Sequence, residues 1–420
     1  MTRHHGGVSK RASIDPTYDV VIVGAGMAGL AAAKHLIAAR RKVMVIDANS
    51  APGGRARSEL IDGVTVDHGF QLLNPSYPEA QRMLNFKELK LREFTPGVRI
   101  RSSDGSRNLI DPFRSPKALL DTLKSVPGSR LEQLKFAAYV TEVAKGYGTQ
   151  LQYRADGTAR DALSGFEDIT HEVLEPFLAG VLFDDSMTTS RRLVDVFLRS
   201  FVRGTPAVPA AGMGEIGKQL SRGIPLSLNE SAVRVTPTTV TTNWRVLKAR
   251  AVLIATDPHT AARLLPGLPT PHMRSGTTWW HRAPVPVAAL NGGLPILTVD
   301  PERRGPLVNT VVMNAAATEY ATSDQALIAS TALGTGPFSS AEISKHLSYL
   351  YEANTARWEV VAVQTLTQTV PAFPVGTPFR QPSRLANGIF IAGDHRDTPS
   401  LQGALVSGRR AAAAIRHSLA

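Results

Sequence analysis

Tyr18-Asp-Val-Val-Ile-Val-Gly-Ala-Gly-Met-Ala-Gly29, continued by Leu30 to Arg40 and by Lys42-Val-Met-Val-Ile-Asp47, decides the fold. Residues 18–23 form a β-branched run suited to a parallel strand buried on both faces. The run meets three glycines, Gly24, Gly26 and Gly29, and then an Ala- and Leu-rich stretch that reads as a helix. A second apolar run follows and ends in an acid. Strand, glycine turn, helix and strand together make a βαβ unit of the dinucleotide-binding kind. The glycines serve the tight turn, the close approach of backbone to a pyrophosphate, and the packing of helix on strand. The helix start, including Met27 and Ala28, offers N–H groups and the positive dipole end to phosphate. Asp47, with Ala48 after it, stands where a carboxylate accepts hydrogen bonds from a ribose.

Gly-x-Gly-x-x-Gly alone does not choose between NAD and FAD. Two further segments bear on that choice. Pro52-Gly-Gly-Arg-Ala-Arg-Ser58 sets a glycine pair and arginines just past Asp47. Near the other end, Gly388-Ile-Phe-Ile-Ala-Gly-Asp394 is an apolar strand ending in Gly-Asp, and a small-residue helix is expected over Gly403 to Ala414. With these segments the chain resembles the superfamily of flavin-containing amine oxidases and carotenoid desaturases. The resemblance implies non-covalent FAD. It assigns Gly24, Gly26, Gly29, Asp47, Gly54 and Arg55 to the ADP half, with Val233 contacting adenine through its main chain. It assigns Gly393 and Asp394 to phosphate and ribitol, and the run Leu401-Gln402-Gly403-Ala404 to the flavin pyrimidine. A helix N-terminus there would stabilise the anionic edge of a reduced flavin. Asp47 departs from the Glu usual in that superfamily.

Two stretches resemble the phytoene and squalene-type desaturase branch. These are Val66-Asp-His-Gly-Phe-Gln-Leu-Leu-Asn-Pro-Ser-Tyr-Pro78 and Ser400-Leu-Gln-Gly-Ala-Leu-Val-Ser-Gly408. Gln71 stands where that branch commonly has His. Glu175-Pro-Phe-Leu-Ala-Gly-Val-Leu-Phe183 resembles a helical substrate-domain segment of bacterial desaturase-like proteins. Amine oxidases place a cage Tyr where this chain has Ser400, and no aromatic lies between Asp394 and the C-terminus. Gln71, Leu72 and Trp280 are the substrate-side candidates, and no catalytic residue is singled out.

The expected architecture is α/β: a Rossmann-like FAD-binding domain interleaved with an α+β substrate domain. FAD-binding blocks are expected at 15–80, 204–265 and 381–420, and substrate-binding parts at 81–203 (helical) and 266–380 (sheet). Leu131, Leu134, Ala138 and Val143 recur at helical spacing between Ser129 and Gly146 and are expected in the core. Strands are expected at Ser231–Val235, Val240–Val246, Ala249–Thr256, near Val285–Leu290 and at Ala326–Ala332.

The formal charge of the 420 residues is +12, with basic residues scattered and no nucleic-acid motif, so nucleic acid is not an expected partner. Such a surface leaves peripheral contact with an anionic membrane open. Cysteine is absent, which excludes disulfides and thiol chemistry. The first fifteen residues carry no apolar signal core and read as a frayed tail, giving a cytoplasmic expectation, on or off a membrane surface. His68, His281 and His395 lack metal-ligand spacing, and no metal is expected. Gly212-Met-Gly-Glu-Ile-Gly217 repeats the glycine spacing without a strand before it, which points to a helix start. The expected activity is hydride transfer from an apolar unsaturated, isoprenoid-like small molecule to flavin N5. Amine or tetrapyrrole oxidation, flavin-dependent isomerisation, and flavin binding without turnover stay open, as does the oligomeric state.

Overall fold

The computed structural model describes residues 18–111, 126–146 and 148–420; the N-terminal tail and the first residues of the 15–80 block lie outside the described residues. β1 (Tyr18–Val23), α1 (Met27–Ala38) and β2 (Val43–Ile46) form the opening unit. β1 is flanked in parallel by β2 and by Val246–Ile254. Leu226–Ser227 extends the sheet beyond β2, and Phe390–Ile391 lies beside Val246–Ile254, both in parallel. An antiparallel hairpin, Ala232–Val235 with Thr239–Thr242, forms the other edge. Strands from the start, middle and end of the chain therefore share one sheet. The β-branched strands Val20 to Val23 and Val252 to Ile254 are buried on both faces, as a parallel sheet covered by helices requires. α1 covers one face and packs along the C-terminal helix Leu401–Ser418. Gly408 makes the closeness possible: a Cβ there would lie 2.2 Å from the Ala28 carbonyl oxygen.

The second sheet runs Glu359–Leu366, Gly276–Pro286, Gln325–Leu333, Leu307–Val312, Leu297–Val299, Gly97–Ser102, Gly105–Ile110. Its last two strands correct the helical expectation for 81–203. Val98 and Ile100 point into the core while Arg99 and Arg101 point away, a period of two that favours a strand. The helical lobe follows, with Arg130–Lys145, Glu175–Leu182 and Arg191–Arg203 around a separate apolar cluster. Of the four apolar positions expected in its core, only Val143 is buried. Leu131 and Leu134 are 62% and 70% exposed and Ala138 is exposed too, because the helix turns Phe136, Tyr139 and Val143 inward instead.

The strand expected near Val285–Leu290 is the end of Gly276–Pro286, and Val287–Ala289 is a 3₁₀ turn. Val240–Val246 is broken by a turn at Asn243 to Arg245, between two strands of the first sheet. Trp280 is fully buried and stacked on Tyr320, with ring centroids 6.5 Å apart. With no accessible surface it lines no open cavity, which corrects its place among the substrate-side candidates. The Tyr320 hydroxyl donates to the buried Asp67 at 2.7 Å and so ties the turn Thr318–Tyr320 to the two-stranded hairpin Ser58–Ile61 with Val64–Asp67. Burial raises the Asp67 carboxyl above its ordinary range, and the donors Ser58, Tyr320 and Met213 N–H offset part of that shift.

Candidate flavin site and adjoining crevice

The turn after β1 brings backbone against backbone. Gly24 has φ +109°, and a Cβ at Gly29 would lie 1.9 Å from the Gly24 carbonyl oxygen, so both positions require glycine. Gly53 N–H donates to the Ala25 carbonyl at 2.9 Å and holds the Gly53-Gly54 turn edge to edge with the first glycine loop. Gly26 and Gly54 face each other so closely that a Cβ on Gly54 would lie 3.1 Å from the Gly26 Cα. Two bare backbone edges thus border a narrow groove. Gly26 caps α1 without a side-chain bond, and no acid occupies the first turn, so the N–H groups of this helix tip keep their attraction for an anion.

Asp47 closes β2 and is 8% exposed. One of its oxygens accepts from Ala25 N–H at 2.6 Å, and the other accepts from the main-chain and side-chain N–H of Asn49 at 2.8 Å each. A carboxylate has about four acceptor positions, so Asp47 retains capacity for ribose hydroxyls beside the exposed Ala48. Glu230 N–H donates to the Asp47 carbonyl, which brings the Ala232–Val235 strand alongside. The ladder shifts register between Ala232 and Arg234, leaving Val233 without a cross-strand partner and 65% exposed. Its main chain is therefore available to a ligand. Sequence reading passed over Glu230 itself. It is fully buried and paired twice at 2.8 Å with Arg245, and it anchors this corner.

The other end of the groove is built from the C-terminal segment. Arg55 donates to Asp394 at 2.6 Å and to the Thr369 carbonyl at 2.6 Å, linking residues 314 and 339 positions apart. Gln71 donates to the Arg55 carbonyl at 2.8 Å, so it stands at the groove, while Leu72 is half-buried against the main core. His395 lies over Gly393, where a Cβ would meet the ring at 2.3 Å. Both its ring nitrogens are buried without a partner, and burial lowers its pKa to about 4 although Asp394 pulls the other way. The sequence, which sets His395 outside any metal-ligand spacing, points to a hydrogen-bonding or surface histidine, whereas the structure buries it with neither nitrogen bonded. The missed signal was adjacency to Gly-Asp.

Ser400 caps the C-terminal helix, its Oγ accepting from Gly403 N–H at 3.1 Å and its carbonyl from Ala404 N–H at 2.9 Å. The N–H groups of Leu401 and Gln402 have no acceptor among the described residues, and the first turn holds no acid. The Gln402 side chain accepts from Glu79 N–H at 3.0 Å and so joins the Tyr77-Pro78 motif to the helix tip. One helix tip without a side-chain cap, a second tip that keeps two N–H groups without an acceptor among the described residues, a glycine-walled groove and an imidazole with both nitrogens unpartnered all fit a long anionic cofactor. The second glycine cluster, by contrast, is the start of the short helix Gly214–Ser221.

The profile of the flavin containing amine oxidoreductase family matches residues 27–280 and 340–416. The chain belongs to that family. Membership in that family implies a flavin cofactor. Among curated relatives, phytoene dehydrogenase of Streptomyces griseus is 36% identical over 122 residues, 27% of this chain and 23% of that protein. Putrescine oxidase of Kocuria rosea is 48% identical over 61 residues, 14% of this chain and 13% of that protein. The chain thus spans less than a quarter of the length of either relative. The solved cyclohexylamine oxidase of Brevibacterium oxydans IH-35A superposes with TM-score 0.71 at 18% identity, covering 96% of this chain and all of that one, which establishes the fold alone.

Two hollows are lined by chain that flanks the groove residues Thr369 and Ser400. An open one of about 500 Å³ is lined by His259, Thr270 to Met273, Thr367 and Gln368. The second is a crevice lined by Val181, Leu182, Thr189, Leu193, Phe197, Val370, Pro371, Phe373 and Pro399. Helices of the lobe form one wall. The other wall is chain that leads straight from Thr369 and into Ser400. The crevice holds only about 10 Å³, so it is closed. Thr189 is its single hydroxyl, and its proton is committed to Asp184 at 2.7 Å.

Proposed function

We propose that the chain is an FAD-dependent oxidoreductase holding FAD non-covalently and oxidising an apolar, unsaturated, isoprenoid-like small molecule in the manner of a desaturase. The observation that carries this reading is the lining of the crevice. Eight of its nine residues are apolar or proline, and none is an ionised group or an aromatic cage at Ser400. Such a lining suits a hydrocarbon chain and leaves an ammonium group without a partner. When bound, the flavin supplies a hydride acceptor at N5. Gly26, Met27, Ala28 and Gly54 would hold its phosphates, Asp47 its ribose, and the Leu401 and Gln402 N–H groups its pyrimidine edge. The chain's own contribution to the chemistry is placement and exclusion of water. No side chain of the crevice is placed to act as a base, so the accompanying proton goes to water or a main-chain carbonyl. At about 10 Å³ the crevice admits no substrate as it stands, and entry requires the helical lobe to part from the Val370–Pro399 wall.

The closed crevice also favours a second reading, a flavin-bound protein without turnover. Anaerobic bleaching of the flavin against isoprenoids, porphyrinogens and simple amines separates the two. Bleaching by polyene or other isoprenoid substrates alone is the expected result. Rapid bleaching by amines alone would replace the desaturase reading with amine oxidation, and bleaching by nothing would favour the non-catalytic one.

Peripheral membrane contact belongs to the same proposal; no helix among the described residues is long and apolar enough to cross a bilayer. Leu131 and Leu134 stand exposed beside Arg130 and Lys135, a pattern suited to an anionic lipid surface. Sedimentation with phosphatidylglycerol vesicles, lost in a Leu131→Glu, Leu134→Glu double variant, is the expected outcome. Unchanged sedimentation of the variant would remove this helix from the contact.

A further inference from the structure

We infer that Arg380, Arg396 and Arg410 form an anion-binding subsite beside the apolar crevice, built to hold the phosphate or carboxylate head of an amphipathic substrate. The inference rests on the crevice reading above and adds a head group to it. Two connections join the cluster to the crevice. Pro399, a crevice residue, lies three positions after Arg396. Phe373, another, packs on Phe379 with ring centroids 4.9 Å apart, and Phe379 directly precedes Arg380.

The charges in the cluster do not balance. Arg410 donates to the Gln381 carbonyl at 2.9 Å and reaches Asp397 only at 3.4 Å. Arg396 is spent on neutral acceptors, Gln381 Oε1 at 2.5 Å and the Pro382 carbonyl at 2.7 Å, and its Nε–H is buried without an acceptor. Arg380 is exposed and makes no hydrogen bond or ion pair among the described residues. Among the described residues Asp397 is the one carboxylate that pairs with these cations, and it is 7% exposed. Burial raises its pKa even with Arg410 and Arg380 beside it. Burial lowers the pKa of Arg396 and Arg410; the like charge of Arg410 lowers Arg396 further, and at Arg410 the opposing pull of Asp397 is met by the like charge of Arg380 and Arg409. Arg410 thus feels like charge from both Arg380 and Arg396, around a carboxyl that ionises reluctantly. A forked oxyanion relieves that repulsion and fits guanidinium geometry.

An apolar chain in the crevice would then carry its charge at the arginines. The head group fixes which end enters first and therefore which C–H bonds reach the flavin. Specificity for an acid or phosphate over the matching alcohol is the functional consequence.

The test uses the flavin-loaded protein and three probes: octyl phosphate, 1-octanol and inorganic phosphate. Binding is measured by calorimetry and by perturbation of the visible flavin bands. Octyl phosphate is expected to bind at least tenfold more tightly than octanol, with inorganic phosphate weaker than octyl phosphate. Arg380→Gln, chosen because its side chain is exposed, should shrink the octyl phosphate advantage below about threefold, whereas Arg380→Lys should keep most of it. Equal binding of octyl phosphate and octanol, with both perturbing the flavin, would overturn the subsite and leave the apolar crevice standing. Inorganic phosphate binding as tightly as octyl phosphate would also overturn it, by making the cluster a free-anion site unconnected to the crevice. Failure of both amphiphiles to bind would defeat the crevice reading along with it.

Discussion

Replacing Asp47 with alanine separates two roles that the geometry assigns to one side chain. Its oxygens brace the glycine loop through Ala25 N–H and Asn49, and the remaining acceptor capacity faces the ribose. The brace acts in the flavin-free protein. Removing it strands the Ala25 N–H in a buried setting, a loss of about 1–3 kcal/mol in unfolding free energy. The ribose contact acts only in the loaded protein. Losing hydrogen bonds to a charged acceptor there costs about 1.5–3 kcal/mol, roughly a ten- to hundredfold weaker Kd for FAD. The assay pairs urea unfolding of flavin-stripped wild type and Asp47→Ala with fluorescence titration of FAD into each. Both quantities should fall. Asn at the same position should recover part of the stability, because it keeps one acceptor oxygen, but little of the affinity. A stability loss with unchanged FAD affinity would refute the ribose role and reduce Asp47 to a loop brace.

Two other outcomes follow from the same site. Gly54→Ala puts a methyl 3.1 Å from the Gly26 Cα at a φ of +64°, so flavin-free protein should stay folded, about 1 kcal/mol less stable, while FAD binding falls by more than a hundredfold; retained flavin after dilution would show that the groove does not hold phosphate. His281 and His395 are both held neutral by burial, with pKa values near 4 against an ordinary 6.5. Below pH 6.5 the unfolded chain takes up protons that the folded one refuses, so stability should fall as pH drops from about 6.5 to 4, by at most about 1.4 kcal/mol per pH unit for each histidine. His395→Gln should flatten that decline in the flavin-free protein by roughly half, and an unaltered pH profile would show that His395 is not buried neutral.

The parts legible in the sequence are those whose signal is local. Residues 18–47 declare their strands, turn and acid within thirty positions, because the apolar runs, the glycine spacing and the acid all fall inside that stretch, even though β1 also pairs with the distant Val246–Ile254. The C-terminal Gly393-Asp394 and the helix after Ser400 were legible for the same reason. Val98 and Ile100 were passed over because a six-residue alternation flanked by arginines is a weak signal beside a long helical stretch. The Arg130–Lys145 helix misled differently. Its apolar positions occur on two faces, and spacing alone does not choose between Leu131 with Leu134 and Phe136 with Val143. Trp280 invited a cavity role by its size, but Tyr320, forty residues away, claims its face. The crevice and the arginine cluster had no sequence signature at all. Val181 and Pro399 line one crevice, and Arg410 meets Gln381, only because the last block of chain returns to the first sheet.

The central claim is that segments from both ends of the chain close on one FAD. Protein purified without added cofactor and precipitated with acid tests it most directly. The account predicts a yellow supernatant containing FAD by mass, about one per chain, over a colourless pellet. A pellet that keeps its colour would contradict non-covalent binding. Release of NAD, or a colourless protein that takes up no added FAD, would contradict the flavin site itself.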